Sequence, residues 1–246
     1  MLAYLALLLA ASAASAAAAA AGPICGNATL PLDASRPNVL LIGDSISMTP
    51  PYTPGGYGHA LEQLLTAKGV AVQHAGGNYA GGQCGDTRLG LTCTNASGTS
   101  ADSYLNFEGS FDLIHFNYGL HDLASYSAAL PQLPLPVYGR NIAEIFARLA
   151  ARAKFVMWTT TTPCPDVPTS YNRSYTLVEE YNAQAIKSLP TNVLVNDLWS
   201  AMVQHCGSHY KSCDLQLPAN VHLTSAGINF TAAVAAKDIL AALGRE

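Results

Sequence analysis

The feature that most restricts this chain is an alternation of short apolar runs with segments whose apolar residues recur at helical spacing. Residues 38–43 (Asn-Val-Leu-Leu-Ile-Gly) are an apolar run of strand length bounded by Pro37 and Gly43, the pattern of a strand buried on both faces. Residues 59–68 then place Leu61, Leu64 and Leu65 on one helical stripe that Gly69 ends. Further strands are expected at 70–74, 111–116, 155–158 and 192–195, with helices at 138–153, 171–189 and 225–243. Strands that alternate with helices predict an α/β fold, a five-stranded parallel sheet covered on both sides. The Gly-rich stretch 76–90 and the Pro-rich stretch 131–136 read as long loops beside a site.

A chain of 246 residues, half of them apolar and 11% charged, can bury one sizeable core. No repeat or second-domain boundary is visible, so residues 22–246 read as a single domain and a monomer is expected. A net charge of −4 gives no reason to expect nucleic acid or an anionic membrane as partner.

Residues 1–21 begin with Leu-rich and continue with Ala-rich sequence, the length and character of a secretory leader cleaved near Ala21. No Lys or Arg precedes the apolar run, which is atypical, but an Ala-rich tail is a weak membrane span, so no lasting insertion is expected. The six cysteines, Cys25, Cys84, Cys93, Cys164, Cys206 and Cys213, all follow this leader, and an even count in an exported chain suggests disulfides. Spacing favours Cys84–Cys93 and Cys206–Cys213, which leaves Cys25–Cys164. Asn27, Asn95, Asn172 and Asn229 head N-x-S/T tripeptides, glycosylation acceptors in a eukaryotic secretory pathway.

Four short segments carry the chemistry: Gly43-Asp44-Ser45-Ile46, Gly85-Asp86-Thr87, Gly119-Leu120-His121-Asp122 and Val221-His222-Leu223-Thr224. Three follow expected strands or lie in the loop after one, and the fourth precedes the last helix. All four can meet at the carboxyl edge of the sheet, where ligands bind in open α/β folds. Ser45 leaves a buried strand through Gly43 and can present its hydroxyl there. A serine hydroxyl needs a positioned base, and His222 is the candidate because imidazole takes and returns a proton near neutrality.

Ile42-Gly43-Asp44-Ser45-Ile46 resembles the first block of the SGNH hydrolases, also called GDSL esterases or lipases. His222, followed by Leu-Thr-Ser-Ala-Gly227, resembles their last block, and Gly85-Asp86-Thr87 their second. The resemblance runs from about Asn38 to the C-terminus. It implies a flavodoxin-like α/β/α sandwich and hydrolysis of carboxylic esters through an acyl-serine, with no cofactor and no metal. By that resemblance Ser45 is the nucleophile and one oxyanion donor through its amide, Gly85 is a second donor, and His222 is the base.

Two positions depart from the family pattern. The third block normally offers an Asn amide to the oxyanion; here His121 holds that position, and Asn117 is the alternative. A neutral imidazole can donate one N–H, so His121 can serve. The acid that orients the histidine normally stands three residues before it, where this chain has Ala219. A backbone carbonyl, Asn220 or Asp214 can fill that role. Asp44 and Asp122 read as acceptors that brace loops.

Other signals are weaker. His205, Cys206, His209 and Cys213 have the ligand types of a zinc cluster, but Cys206–Cys213 is the commoner reading in an exported chain. His59, His74 and His115 read as core or surface residues. Tyr52, Tyr57, Tyr79, Tyr118, Tyr126 and Tyr138 fall near the site loops and would suit stacking on a sugar, or packing. The expected function is a secreted serine esterase, with deacetylation of a carbohydrate or similar polar ester as the suggested reaction. An acyltransferase with the same site, or an inactive secreted binding protein on the same fold, are the alternatives.

Overall fold

A computed structural model of the chain describes residue 25 and residues 31–47, 56–75, 85–95, 103–105, 107–128 and 131–246. The leader at 1–21, Asn27, Cys84, Tyr52 and Tyr79 lie outside the described residues.

Five strands, β1 (Asn38–Ile42), β2 (Ala71–Ala75), β3 (Phe111–Phe116), β4 (Ala153–Thr159) and β5 (Leu194–Asn196), form one parallel sheet in the order β2-β1-β3-β4-β5. This is the flavodoxin-like order. Central β1 is buried along its whole length, as its unbroken apolar run requires. Each of Val39, Leu40, Leu41 and Ile42 contributes about 1.5–3 kcal/mol by leaving water.

Parallel neighbours require crossover connections, and the helices that make them cover the sheet. Helix α1 (Gly58–Ala67) packs against α6 (Ser225–Ala242), which also meets α5 (Leu198–Cys206). Helix α3 (Leu135–Ala150) packs against α2 (Thr87–Cys93) and α4 (Tyr175–Ser188). Four of these helices start at side chains that satisfy an orphan amide: Asp86, Ser174, Asp197 and Thr224 accept from Leu89, Leu177, Ser200 and Gly227 respectively. Each such cap is worth about 1 kcal/mol.

The boundaries depart from the sequence reading where proline and turn chemistry intervene. Helix α3 begins inside the expected Pro-rich loop, because Pro136 falls in its first turn, where a missing N–H costs nothing. The last part of the expected Gly-rich loop is α2, capped by Asp86. Helix α4 starts four residues later than expected, after a 3₁₀ turn at Ser170–Asn172.

The cysteine pairing also differs. Cys93 bonds Cys25, not Cys84, and Cys164 is a free, buried thiol rather than the partner of Cys25. Cys93 ends α2 with its side chain in the core, and Cys25 is buried against it, so packing and not loop length selected the partner. Cys206, the last residue of α5, bonds Cys213 in the segment that follows. Closing the 68-residue loop restricts the unfolded chain by about 4 kcal/mol, against about 2 kcal/mol for the 7-residue one. Among the described residues no helix is long and apolar enough to cross a membrane.

Candidate active site

The site lies over the carboxyl ends of β1 and β3, where the order in which strands are added to the parallel sheet reverses. Behind β1 the chain makes a turn in which the Ser47 amide donates to the Asp44 carbonyl (3.1 Å) and the Ile46 amide to Asp44 Oδ1 (2.9 Å). Asp44 is wholly buried and braces this turn. Ser45 thereby stands at the rim, 9% exposed.

His222 arrives from the opposite end of the chain on a short loop before α6. Leu217 and His222 are joined by an amide-to-carbonyl bond of 3.0 Å, and Asn220 N–H closes a turn on the Leu217 carbonyl at 3.1 Å. Pro218 and Ala219 occupy the turn's centre, with Ala219 in the left-handed region at φ 51°. That is the corner position where a type II turn favours glycine. Gln216 anchors the loop, donating to the Pro163 carbonyl at 2.8 Å and accepting from the Tyr210 hydroxyl. Gly227 in α6 touches the backbone of Leu215 so closely that a Cβ would lie 1.9 Å from the Leu215 carbonyl oxygen.

The result is a direct contact: His222 Nε2 stands 3.0 Å from Ser45 Oγ. His222 Nδ1 faces Asn220 Oδ1 at 2.9 Å, and the His222 backbone N–H donates to the same oxygen at 3.1 Å. The backbone donor identifies the amide atom as the oxygen, since an N–H cannot donate to an NH₂ group. An oxygen facing Nδ1 requires the hydrogen there. The lone pair is therefore on Nε2, facing the serine hydroxyl. Burial, and then the Arg173 charge, hold the His222 pKa below the ordinary 6.5, which keeps this lone pair free near neutrality.

Of the groups expected to orient His222, Asn220 is the one that stands at Nδ1. Asp214 does not: its carboxylate bonds His205 Nε2 at 2.9 Å. The zinc reading of this region also falls, since Cys206 and Cys213 share a disulfide, and His209 instead pairs with Asp166 at 3.4 Å.

Gly85 presses on the serine turn from the second segment. Its φ is +91°, and a Cβ there would lie 2.5 Å from the Asp44 Cβ, so both conformation and space demand glycine. Asp122 holds this segment in place: its Oδ1 accepts from the Thr87 amide at 3.0 Å and the Thr87 hydroxyl at 2.5 Å. Burial pushes the Asp122 carboxyl up to about 8.

His121 lies beside Gly85, with its Cδ2 edge 3.5 Å from the position a Gly85 Cβ would take. Burial lowers its pKa to about 4, so the ring is neutral at pH 7. Its Nδ1 meets the Tyr126 hydroxyl at 2.5 Å. Asn117, the alternative to His121, is committed elsewhere: its NH₂ donates to the Thr159 carbonyl (2.7 Å) and to Thr161 Oγ1 (3.3 Å), tying β3 to β4.

Of the four described tyrosines among those singled out above, three are structural. Tyr57, Tyr118 and Tyr138 are buried in the core, while Tyr126 reaches the site. Two neighbours escaped the sequence reading. Arg173 is 8% exposed and donates to Tyr126 Oη at 2.7 Å and to the Leu120 carbonyl at 2.9 Å. Tyr171, 49% exposed and at φ 65°, packs on Tyr126 with centroids 4.5 Å apart. Neither belongs to the four segments that carry the chemistry; Arg173 is the middle residue of a sequon and Tyr171 precedes it.

No family model and no curated protein matches this sequence. Solved structures do. A catalytic mutant of Axe2, an acetylxylan esterase from Geobacillus stearothermophilus, superposes with a TM-score of 0.59 at 17% identity, over 85% of this chain and 95% of that one. The acetyl xylan esterase AlAXEase gives 0.57 at 16% identity, over 82% and 99%. A protein from Slackia heliotrinireducens, provisionally named an SGNH hydrolase, gives 0.55 at 19% identity, over 83% and 99%. The fold is that of the SGNH hydrolases and acetylxylan esterases.

Proposed function

We propose that this chain is a secreted SGNH-type serine esterase that removes an acyl group, acetyl being the simplest, from a carbohydrate or similar polar ester. One observation carries the reading: Ser45 Oγ and His222 Nε2 are within a hydrogen bond, with the hydrogen of the imidazole held on the far nitrogen.

The reaction follows from that arrangement. Ser45 gives its proton to His222 Nε2 as Oγ bonds the ester carbon. The oxyanion takes hydrogen bonds from the Ser45 amide, the Gly85 amide and His121 Nε2–H, and each such donor is worth about 10²–10³ in rate. The imidazolium then protonates the departing alcohol, leaving an acyl-serine. Water attacks this ester as His222 takes its proton, and the imidazolium returns that proton to Ser45 Oγ as the intermediate collapses and releases the acid. Asn220 holds the tautomer that an aspartate would hold but adds no negative charge to stabilise the imidazolium.

An acetylated carbohydrate is supported by the acetylxylan esterases that share the fold, and by the partly exposed aromatic surface of Tyr126 and Tyr171. Secretion is supported by the N-terminal leader sequence and two disulfides. Asn95, Asn172 and Asn229 are all exposed, as glycosylation requires. Purified Ser45→Ala is expected to fold normally and to lose hydrolysis of p-nitrophenyl acetate. Retained turnover would eliminate the mechanism.

A further inference from the structure

We infer that Tyr126 and Arg173 are positioning residues that lock His121 with its hydrogen on Nε2, so that this imidazole replaces a side-chain amide as a one-way donor to the site. An imidazole at this position carries a risk that an amide does not. An amide NH₂ always donates, whereas a neutral imidazole can hold its single hydrogen on either nitrogen. In the wrong tautomer His121 would present a lone pair to a developing oxyanion and repel it.

The chain of donors removes that choice. Arg173 has no acceptor atoms, so its Nη2 must donate to Tyr126 Oη, at 2.7 Å. That bond fills one acceptor position on Oη; among the described residues the hydroxyl's own hydrogen has one acceptor within hydrogen-bond distance, His121 Nδ1 at 2.5 Å, and it donates there. Nδ1 is then an acceptor, and the ring hydrogen resides on Nε2, bonded to the Cδ2 edge that lies along Gly85. Among the described residues no group takes that hydrogen.

Arg173 is itself fixed. It is nearly buried, its Nε donates to the Leu120 carbonyl at 2.9 Å, and its guanidinium lies 5.7 Å from the Tyr126 centroid and 5.3 Å from that of Tyr171. The Ser125 amide donates to the Tyr171 carbonyl at 3.0 Å, joining the His121 loop to the turn that carries Arg173. In support, burial raises the Tyr126 phenol to about 12, so it keeps the proton it must donate.

The inference rests on the esterase reading for what the donor does, but not for where the hydrogen is. Long-range ¹⁵N–¹H spectra of the imidazoles identify the protonated nitrogen directly. In the wild-type protein His121 is expected as the Nε2–H tautomer, and Tyr126→Phe, which keeps the ring, is expected to admit the Nδ1–H form. Nδ1–H in the wild type, or a tautomer unmoved in a folded Tyr126→Phe, would overturn the assignment. Kinetics supply the second arm. Tyr126→Phe should lower kcat about tenfold with KM within about twofold, a fraction of what loss of a whole oxyanion donor costs. In a His121→Asn background, where the donor no longer depends on tautomer, the same change should cost less than about twofold. An equal loss in both backgrounds would show that Tyr126 does not act through the imidazole. A protein with the Nε2–H tautomer but no esterase activity would sink the esterase reading alone.

Discussion

His222 and His121 flank one site and hold their hydrogens on opposite nitrogens. His222 faces a carbonyl oxygen at Nδ1, so it carries the hydrogen there and offers the serine a lone pair. His121 faces a hydroxyl at Nδ1 that is itself held by an arginine, so it accepts there and offers a hydrogen at Nε2. Both are neutral at pH 7, because burial lowers each pKa. The same side chain thus becomes a base in one place and a donor in the other. The difference resides in what each Nδ1 meets, Asn220 or Tyr126.

The comparison can be broken from either side. Removing the base should cost most: His222→Ala is expected to lower kcat by on the order of 10⁴-fold or more, measured with p-nitrophenyl acetate. Removing the donor should cost less. His121→Ala is expected to lower kcat about 10²–10³-fold with little change in KM, and His121→Asn should recover most of that loss. A large KM effect instead would place His121 in substrate binding rather than in the oxyanion site.

Smaller changes sharpen it. Asn220→Asp keeps the acceptor at Nδ1 and adds a negative charge beside the imidazolium, so kcat should rise by about threefold to tenfold. The acid limb of the pH–rate profile reports the same pair. Neutral His222 is the active form, and its lowered pKa carries activity below the ordinary histidine value of 6.5. A carboxylate at position 220 favours the charged ring, raises this pKa, and should move the limb to higher pH by about one unit. A limb that stays put would mean that residue 220 does not touch the base in solution.

Much of this arrangement is legible in the sequence, for reasons that differ between parts. Strand β1 and the turn at Ser45 can be read because five consecutive buried positions leave only a two-faced strand, and the Gly-Asp-Ser segment follows it directly. Helix α2 was hidden because seven residues, one of them Gly90, are too few to show a helical period, and its Asp86 cap looks like part of a loop. The group orienting His222 stayed among three alternatives because hydrogen-bond direction, not residue type, decides it. Asp214 has the better chemistry on paper, but His205 takes its carboxylate and the turn at Pro218–Ala219 delivers Asn220 instead. Arg173 and Tyr126 meet across 47 residues of chain and follow no spacing rule. Loop length likewise points Cys93 to Cys84, whereas burial beside the end of α2 joins it to Cys25.

The most direct test is covalent. A fluorophosphonate probe reacts only with a serine whose hydroxyl is activated, and mass spectrometry of the labelled protein locates the adduct. The account predicts labelling at Ser45 in the wild-type protein and its loss in a folded His222→Ala variant. A folded wild-type protein that takes no label, or equal labelling of Ser45 without His222, would contradict it.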